Sequence, residues 1–273
     1  MNILPIETQA LIAKALIEGC SIRTTARMVD VEHKTVLRTL VRIGEKCTNF
    51  LNDNIRLVRA RRVQVDEIWT YVFKKQAQLS CDDPAEWGDE YVFIGMDADT
   101  KLVISHLVGK RDATTAYYMM RDLQERLANR VQLTTDGFRP YLNAVEDNFG
   151  ADIDYAMLVK VYGKETTDKA SPEWYKPPQV VAAIPTRITG NPDMRHISTS
   201  YIERQNLTLR MQARRFTRLT NAFSKKLENL KAQVALHFAH YNFVRIHQTL
   251  RCTPAMAAGL TNRLWSLEEL LLA

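Results

Sequence analysis

Four cysteines among 273 residues, at positions 20, 47, 81 and 252, are too scattered to suggest a disulfide framework. None forms a C-x-x-C pair, so no zinc site is marked, and reduced, buried thiols are expected. No stretch approaches the length of a membrane span. The start, Met1-Asn2-Ile3-Leu4-Pro5, has no basic segment ahead of a long apolar one. A cytoplasmic protein, with no membrane partner, is expected. No internal repeat or heptad is evident, so repeat and coiled-coil architectures drop out. Strong overall charge is missing too: 37 basic against 31 acidic residues leave a net charge of +6.

The charge is unevenly placed. Residues 1–62 carry eleven Lys/Arg and six Asp/Glu, and residues 203–231 carry eight and two, leaving the remainder mildly acidic. Two basic surfaces flanking an acidic body suggest a polyanionic partner, although solvated Lys/Arg-rich helices have the same composition. With 46% apolar residues, the length suits one large domain plus a small one.

Apolar spacing predicts a helix over 6–18, ending before Gly19. Ser21 is a candidate N-cap for a second helix through Val29, and a third is expected from about His33 to Ile43, closed by Gly44. Small Ala26 with inward Val29, Val31 and Val36 fits a helix-turn-helix, here assigned to residues 1–48. Its third helix would turn His33, Lys34, Thr35, Arg38 and Arg42 outward, a cationic face suited to DNA. A basic linker (49–62) follows. Strands are expected over 63–74, 90–97 and 102–108, with Asp97 and Asp99 in the turn between the last two. A helix over 113–128, a strand ending at Thr135, a helix over 141–148 and a strand over 155–161 come next. This alternation predicts an α/β domain with a mixed sheet and helices on both faces, spanning 63–250. A polar stretch from 163 reads as an insertion, to about 195, whose Trp174 and Tyr175 either pack the loop down or stack on an unpaired base. Helices resume near Thr199 and from Asn221 to Val244, before a helical tail (251–273). His237 and His240, one turn apart, have no third metal ligand in sequence and are expected to pack.

The chemistry concentrates on three acids. Asp66 lies mid-strand in Val63-Gln64-Val65-Asp66-Glu67-Ile68-Trp69, where an inward charge is costly unless it binds something. Asp136 ends a strand before Gly137. Alone, the first also reads as a solvent-facing edge residue and the second as a helix cap. Glu203 differs, because Asn206 and Arg210 at i+3 and i+7 share its helical face. Three carboxylates brought together repel one another and are tenable mainly around cations.

Three segments carry a resemblance: Val65-Asp66-Glu67-Ile68-Trp69, Thr135-Asp136-Gly137-Phe138, and Ile202 through Arg210, continuing to Phe223-Ser224-Lys225. Together they resemble the DDE motifs of insertion-sequence-one-type bacterial transposases, over roughly residues 60–250. The resemblance implies a ribonuclease-H-like catalytic domain behind a helix-turn-helix, divalent metal, and cleavage and joining of DNA at the ends of a mobile element. Its three acids carry over to Asp66, Asp136 and Glu203, and its basic residue to Arg210. The Cys-rich zinc ribbon of many such proteins has no counterpart here. The chemistry implied is that of two Mg²⁺ ions (Mn²⁺ substituting) about 3.5–4 Å apart, with Asp66 bridging both and Asp136 and Glu203 taking one each. Arg204, Arg214, Arg215, Arg218, Lys225 and Lys226 would track the DNA backbone, and two ends held together imply a homo-oligomer on DNA. A non-catalytic, transposase-derived DNA-binding regulator and a structure-specific nuclease are the competing readings.

Overall fold

A computed structural model describes residues 3–163, 180–218 and 220–273. The N-terminal helices are α1 (Ile6–Ile17), α2 (Ile22–Met28) and α3 (His33–Asn54). Ser21 caps α2 as expected, its Oγ accepting from the Thr24 N–H at 3.1 Å. Ala26 and Val36 are buried where α2 crosses α3.

The expected end of α3 at Gly44 is corrected: the helix runs ten residues further, to Asn54. Gly44 lies against Ala232 of a long C-terminal helix, Leu227–Phe243. A Cβ at Gly44 would sit 2.4 Å from the Ala232 Cα and Cβ. The glycine is there for close helix approach, and its φ is that of an ordinary helix. One apolar core therefore runs without a break from Ala10 to Leu271, through both the N-terminal helices and the sheet.

The sheet is built from β1 (Arg62–Val72), β2 (Gly88–Asp97), β3 (Val103–Gly109), β4 (Gln132–Thr135), β5 (Asp154–Tyr162) and β6 (Val180–Thr189), in the order β3-β2-β1-β4-β5-β6. β1, β2 and β3 pair antiparallel, and β4 and β5 then add parallel to β1. This order, with α4 (Ala113–Arg126) and α5 (Pro140–Phe149) in the crossovers, is the ribonuclease-H-like arrangement of a mixed α/β sheet. The opposite face carries α6 (Ser200–Gln212) and α7 (Leu227–Phe243), followed by α8 (Pro254–Ala257) and α9 (Leu267–Leu272). β6, unforeseen in sequence, pairs antiparallel with β5 inside the expected insertion. Trp174 and Tyr175 lie outside the described residues.

Other differences have local causes. The helix expected from Asn221 begins at Leu227, because Ser224 is held in a bridge to Val72. Of the four thiols only Cys47 is buried, and Cys81 is exposed. Asp97 is a turn residue as expected, accepting from the amides of Asp99 and Thr100. No helix among the described residues is long and apolar enough to cross a membrane.

Candidate active site

Parallel pairing brings the two aspartates together. Val65 is in register with Thr135, so Asp66 on β1 and Asp136, just past the end of β4, come next side by side, although 70 apart in sequence. Successive side chains on β1 alternate faces. Gln64 and Asp66 point towards α6, whereas Glu67, opposite Phe93, points towards α4 and α5. One carboxylate oxygen each from Asp66, Glu67 and Asp136 lies within 4.8 Å of the others.

β1 also positions the third acid. The Gln64 Oε1 accepts from the backbone N–H groups of both Tyr201 and Ile202, at 3.0 Å each. These are amides of the first turn of α6, which has no side-chain cap of its own. One turn on, Asn206 donates to Asp66 Oδ2 at 2.8 Å. The helix is thus pinned to β1 at two points, with Glu203 between them. Asp66, Asp136 and Glu203 line one cleft of about 460 Å³, together with Lys160 and Thr199.

The electrostatics of this cleft are those of a site short of positive charge. Burial, then the charges of Glu67 and Asp136, push the Asp66 carboxyl up to about 7. Burial likewise raises Asp136, against the Phe138 N–H and the charges of Arg111 and Lys160. Glu203 is 42% exposed, paired with Lys160 and accepting from Thr199. Asn206 keeps its Oδ1 buried without a hydrogen-bond partner among the described residues. Among the described residues the carboxylates within ligating reach of one another are Asp66, Glu67 and Asp136, while Glu203 lines the same cleft held by Lys160. These hard oxygens and the orphaned acceptor beside them fit a hard divalent cation such as magnesium.

Several contributors were invisible in the sequence. Glu67 is only 4% exposed: Arg111 Nε donates to it at 2.5 Å and the Tyr141 hydroxyl at 3.0 Å, yet burial and the charge of Asp136 still raise its carboxyl. Arg111 also lies 3.8 Å from Asp136 and over the Phe138 ring. Gln64 could have been found, since it shares the Asp66 face of β1. Arg111, Lys160 and Tyr141 stand in no spacing relation to the acids and carried no signal.

The remaining expected residues fall into two sets. His33, Lys34 and Arg38 are exposed at the start of α3, with Thr35 and Arg42 half-buried. Arg204, Arg214, Arg218, Lys225 and Lys226 are exposed. Arg215 instead turns inward, donating to Ser224 Oγ at 2.8 Å, and burial lowers its guanidinium to about 10. Arg210 is half-buried beyond Asn206, on the face that leads to Asp66.

No protein-family model matches the chain, and no curated protein matches it. Among solved structures it is similar to the Mos1 strand transfer complex, at 17% identity and a TM-score of 0.25, covering 57% of this chain and 59% of that one. It is also similar to a piggyBac transposase synaptic complex with hairpin DNA, at 10% identity and a TM-score of 0.43, covering 98% and 69%. A Mos1 mariner paired-end complex with Mn aligns at 17% identity and a TM-score of 0.23, covering 54% and 56%. The chain spans less than two thirds of the length of these Mos1 chains. Likenesses at this level carry no functional inference; the geometry of the site does.

Proposed function

We propose that this chain is a DDE-type transposase of the insertion-sequence-one kind, which binds the ends of a mobile element and cleaves and joins DNA there. The observation that carries the reading is the meeting of Asp66, Asp136 and Glu203 in one cleft, from two parallel strands and a helix pinned across them. Asp66, Asp136 and Glu203 would hold the divalent cation, magnesium with manganese as substitute. Once bound, such an ion lowers the cost of charge on the attacking and leaving oxygens of a phosphodiester.

The chain's own groups have separate tasks. Asn206 fixes the Asp66 carboxylate through its Nδ2, and Lys160 and Thr199 orient Glu203. Arg111 answers the charge of Glu67 and reaches Asp136 at 3.8 Å, whereas Asp66 has no ion pair among the described residues. Arg210 offers a permanent positive charge to a DNA phosphate. The exposed start of α3 and the basic surface from Arg204 to Lys226 meet the backbone of the element end, as a homo-oligomer that holds two ends.

The test is incubation of the purified protein with labelled end DNA and Mg²⁺, sizing both cut and joined products. Asp66→Asn should abolish both while leaving DNA binding nearly intact. Equal activity of that variant would end the proposal, and cutting without joining would turn it into a nuclease.

A further inference from the structure

Beyond Asp66, β1 outruns its neighbour. β4 pairs with it only at Arg62–Val65, and the next bridge on that side among the described residues is Val72 with Ser224. The strand edge between them opens into a cleft of about 620 Å³. Three half-buried aromatic rings line it in series. Trp69 lies 5.6 Å from Tyr71, and Tyr71 stacks on Phe223 with centroids 4.9 Å apart and planes 29° from parallel. Lys75, Arg210 and Arg218 line the same cleft.

Aromatic rings in a row normally close over one another in a core. Here they remain partly open, and the cations around them have no carboxylate among the residues of the cleft. Burial, then the charge of Arg218, lowers the Arg210 guanidinium, a cost that an anion between the two relieves. Flat rings for stacking with cations alongside suit one ligand class, a nucleic-acid strand whose bases are unpaired. A duplex keeps its base faces covered and could use only the cations.

The geometry points to a binding groove for unpaired DNA nucleotides on Trp69, Tyr71 and Phe223, along the open edge of β1 beyond Asp66. This inference rests on the transposase reading and adds that the bound DNA carries unpaired bases along β1 beyond Asp66. Arg210 and Arg218 hold its backbone while the bases lie on the rings.

The probe is a DNA duplex ending in a short unpaired tail with a fluorescent aminopurine at its first unpaired position, compared with the blunt duplex. Both are titrated with the full chain in EDTA, so that nothing is cut. The tailed duplex should bind about tenfold more tightly, with the aminopurine quenched by stacking. Trp69→Ala should remove the preference and the quench while blunt binding persists, and Trp69→Phe should restore both. Phe223→Ala, in a segment outside any helix or strand, carries the same test if Trp69→Ala does not fold. Equal affinity for both duplexes with no quench overturns the groove and leaves the transposase reading standing. Failure of wild-type protein to bind either duplex overturns both.

Discussion

Asp66 and Glu67 are neighbours on one strand, both carboxylates and both largely buried, yet their surroundings differ in kind. On the α4/α5 face, Glu67 meets a guanidinium and a phenol, as a charge in a protein interior must. On the α6 face, Asp66 meets one amide from Asn206, with Asp136 and Glu203 close by. The first environment is answered largely from the chain, although burial and Asp136 still raise the Glu67 carboxyl; the second is left open to something added. Two adjacent acids thus differ in how far the chain answers their charge, although one oxygen of each lies within 4.8 Å of the other and of Asp136.

The comparison can be broken most forcefully at Arg111. Arg111→Met should cost about 3 kcal/mol by urea denaturation, because Glu67 is left buried without its counter-charge. Adding Glu67→Gln to that variant should recover most of the loss, and a failure to recover would mean that Arg111 serves Asp136 instead. Asp66→Asn should do the opposite and stabilise the cation-free protein by about 2 kcal/mol near pH 8. A carboxyl raised in the folded state opposes folding above its folded value of about 7. Its penalty fades as pH falls through 7, so the gain from Asp66→Asn should be gone near pH 4. The same variant should lose any rise in melting temperature caused by Mg²⁺.

A third buried set sharpens the contrast, because it carries no charge at all. His237 is lowered to about 3 and His106 and His240 to about 4, in each case chiefly by burial. The unfolded chain takes up these protons first, so their stabilisation is whole above pH 6.5 and is lost between there and about 4. His237→Phe should flatten the acid slope of stability by about 1.4 kcal/mol per pH unit in that window. This runs opposite in sign to the Asp66 effect, so the two variants must be compared with the parent at each pH. The smallest effect concerns salt. With Arg215 turned inward, five exposed cations remain in the α6–α7 patch, for a slope of log K against log salt near −4.5. Arg214→Gln should reduce its magnitude by about 0.9.

Much of this was legible before any coordinates. Alternation along Val63–Val72 gave a strand, turn residues at 97–101 gave a hairpin, and the period of Ser200–Gln212 put Glu203, Asn206 and Arg210 on one face. What stayed hidden shares one property: it depends on which elements touch across long sequence distances. Gly44 reads as a helix end because glycine most often is one, and only the crossing with Ala232 reveals its use. Lys160 became part of the site by parallel pairing of β1, β4 and β5, Arg111 by the antiparallel pairing that brings the end of β3 beside β1 and β2, and Tyr141 by the packing of α5, none of which local pattern encodes. Glu67 drew no separate reading because burial and partners, not residue type, distinguish it from Asp66. β6 was missed because its residues are exposed along nearly their whole length, leaving no alternation to read.

The seam where Gly44 meets Ala232 leaves no room for even one methyl group between two long helices. Because α3 passes through that seam, its exposed front end and the acid cleft are parts of one solid piece. On the proposed reading, the span from the bases it would touch to the bond it would cut is then set by protein length, as on a carpenter's gauge. An enzyme built this way would measure its cut from its recognition sequence, and inserting base pairs between the two in the DNA should spoil cleavage without spoiling binding.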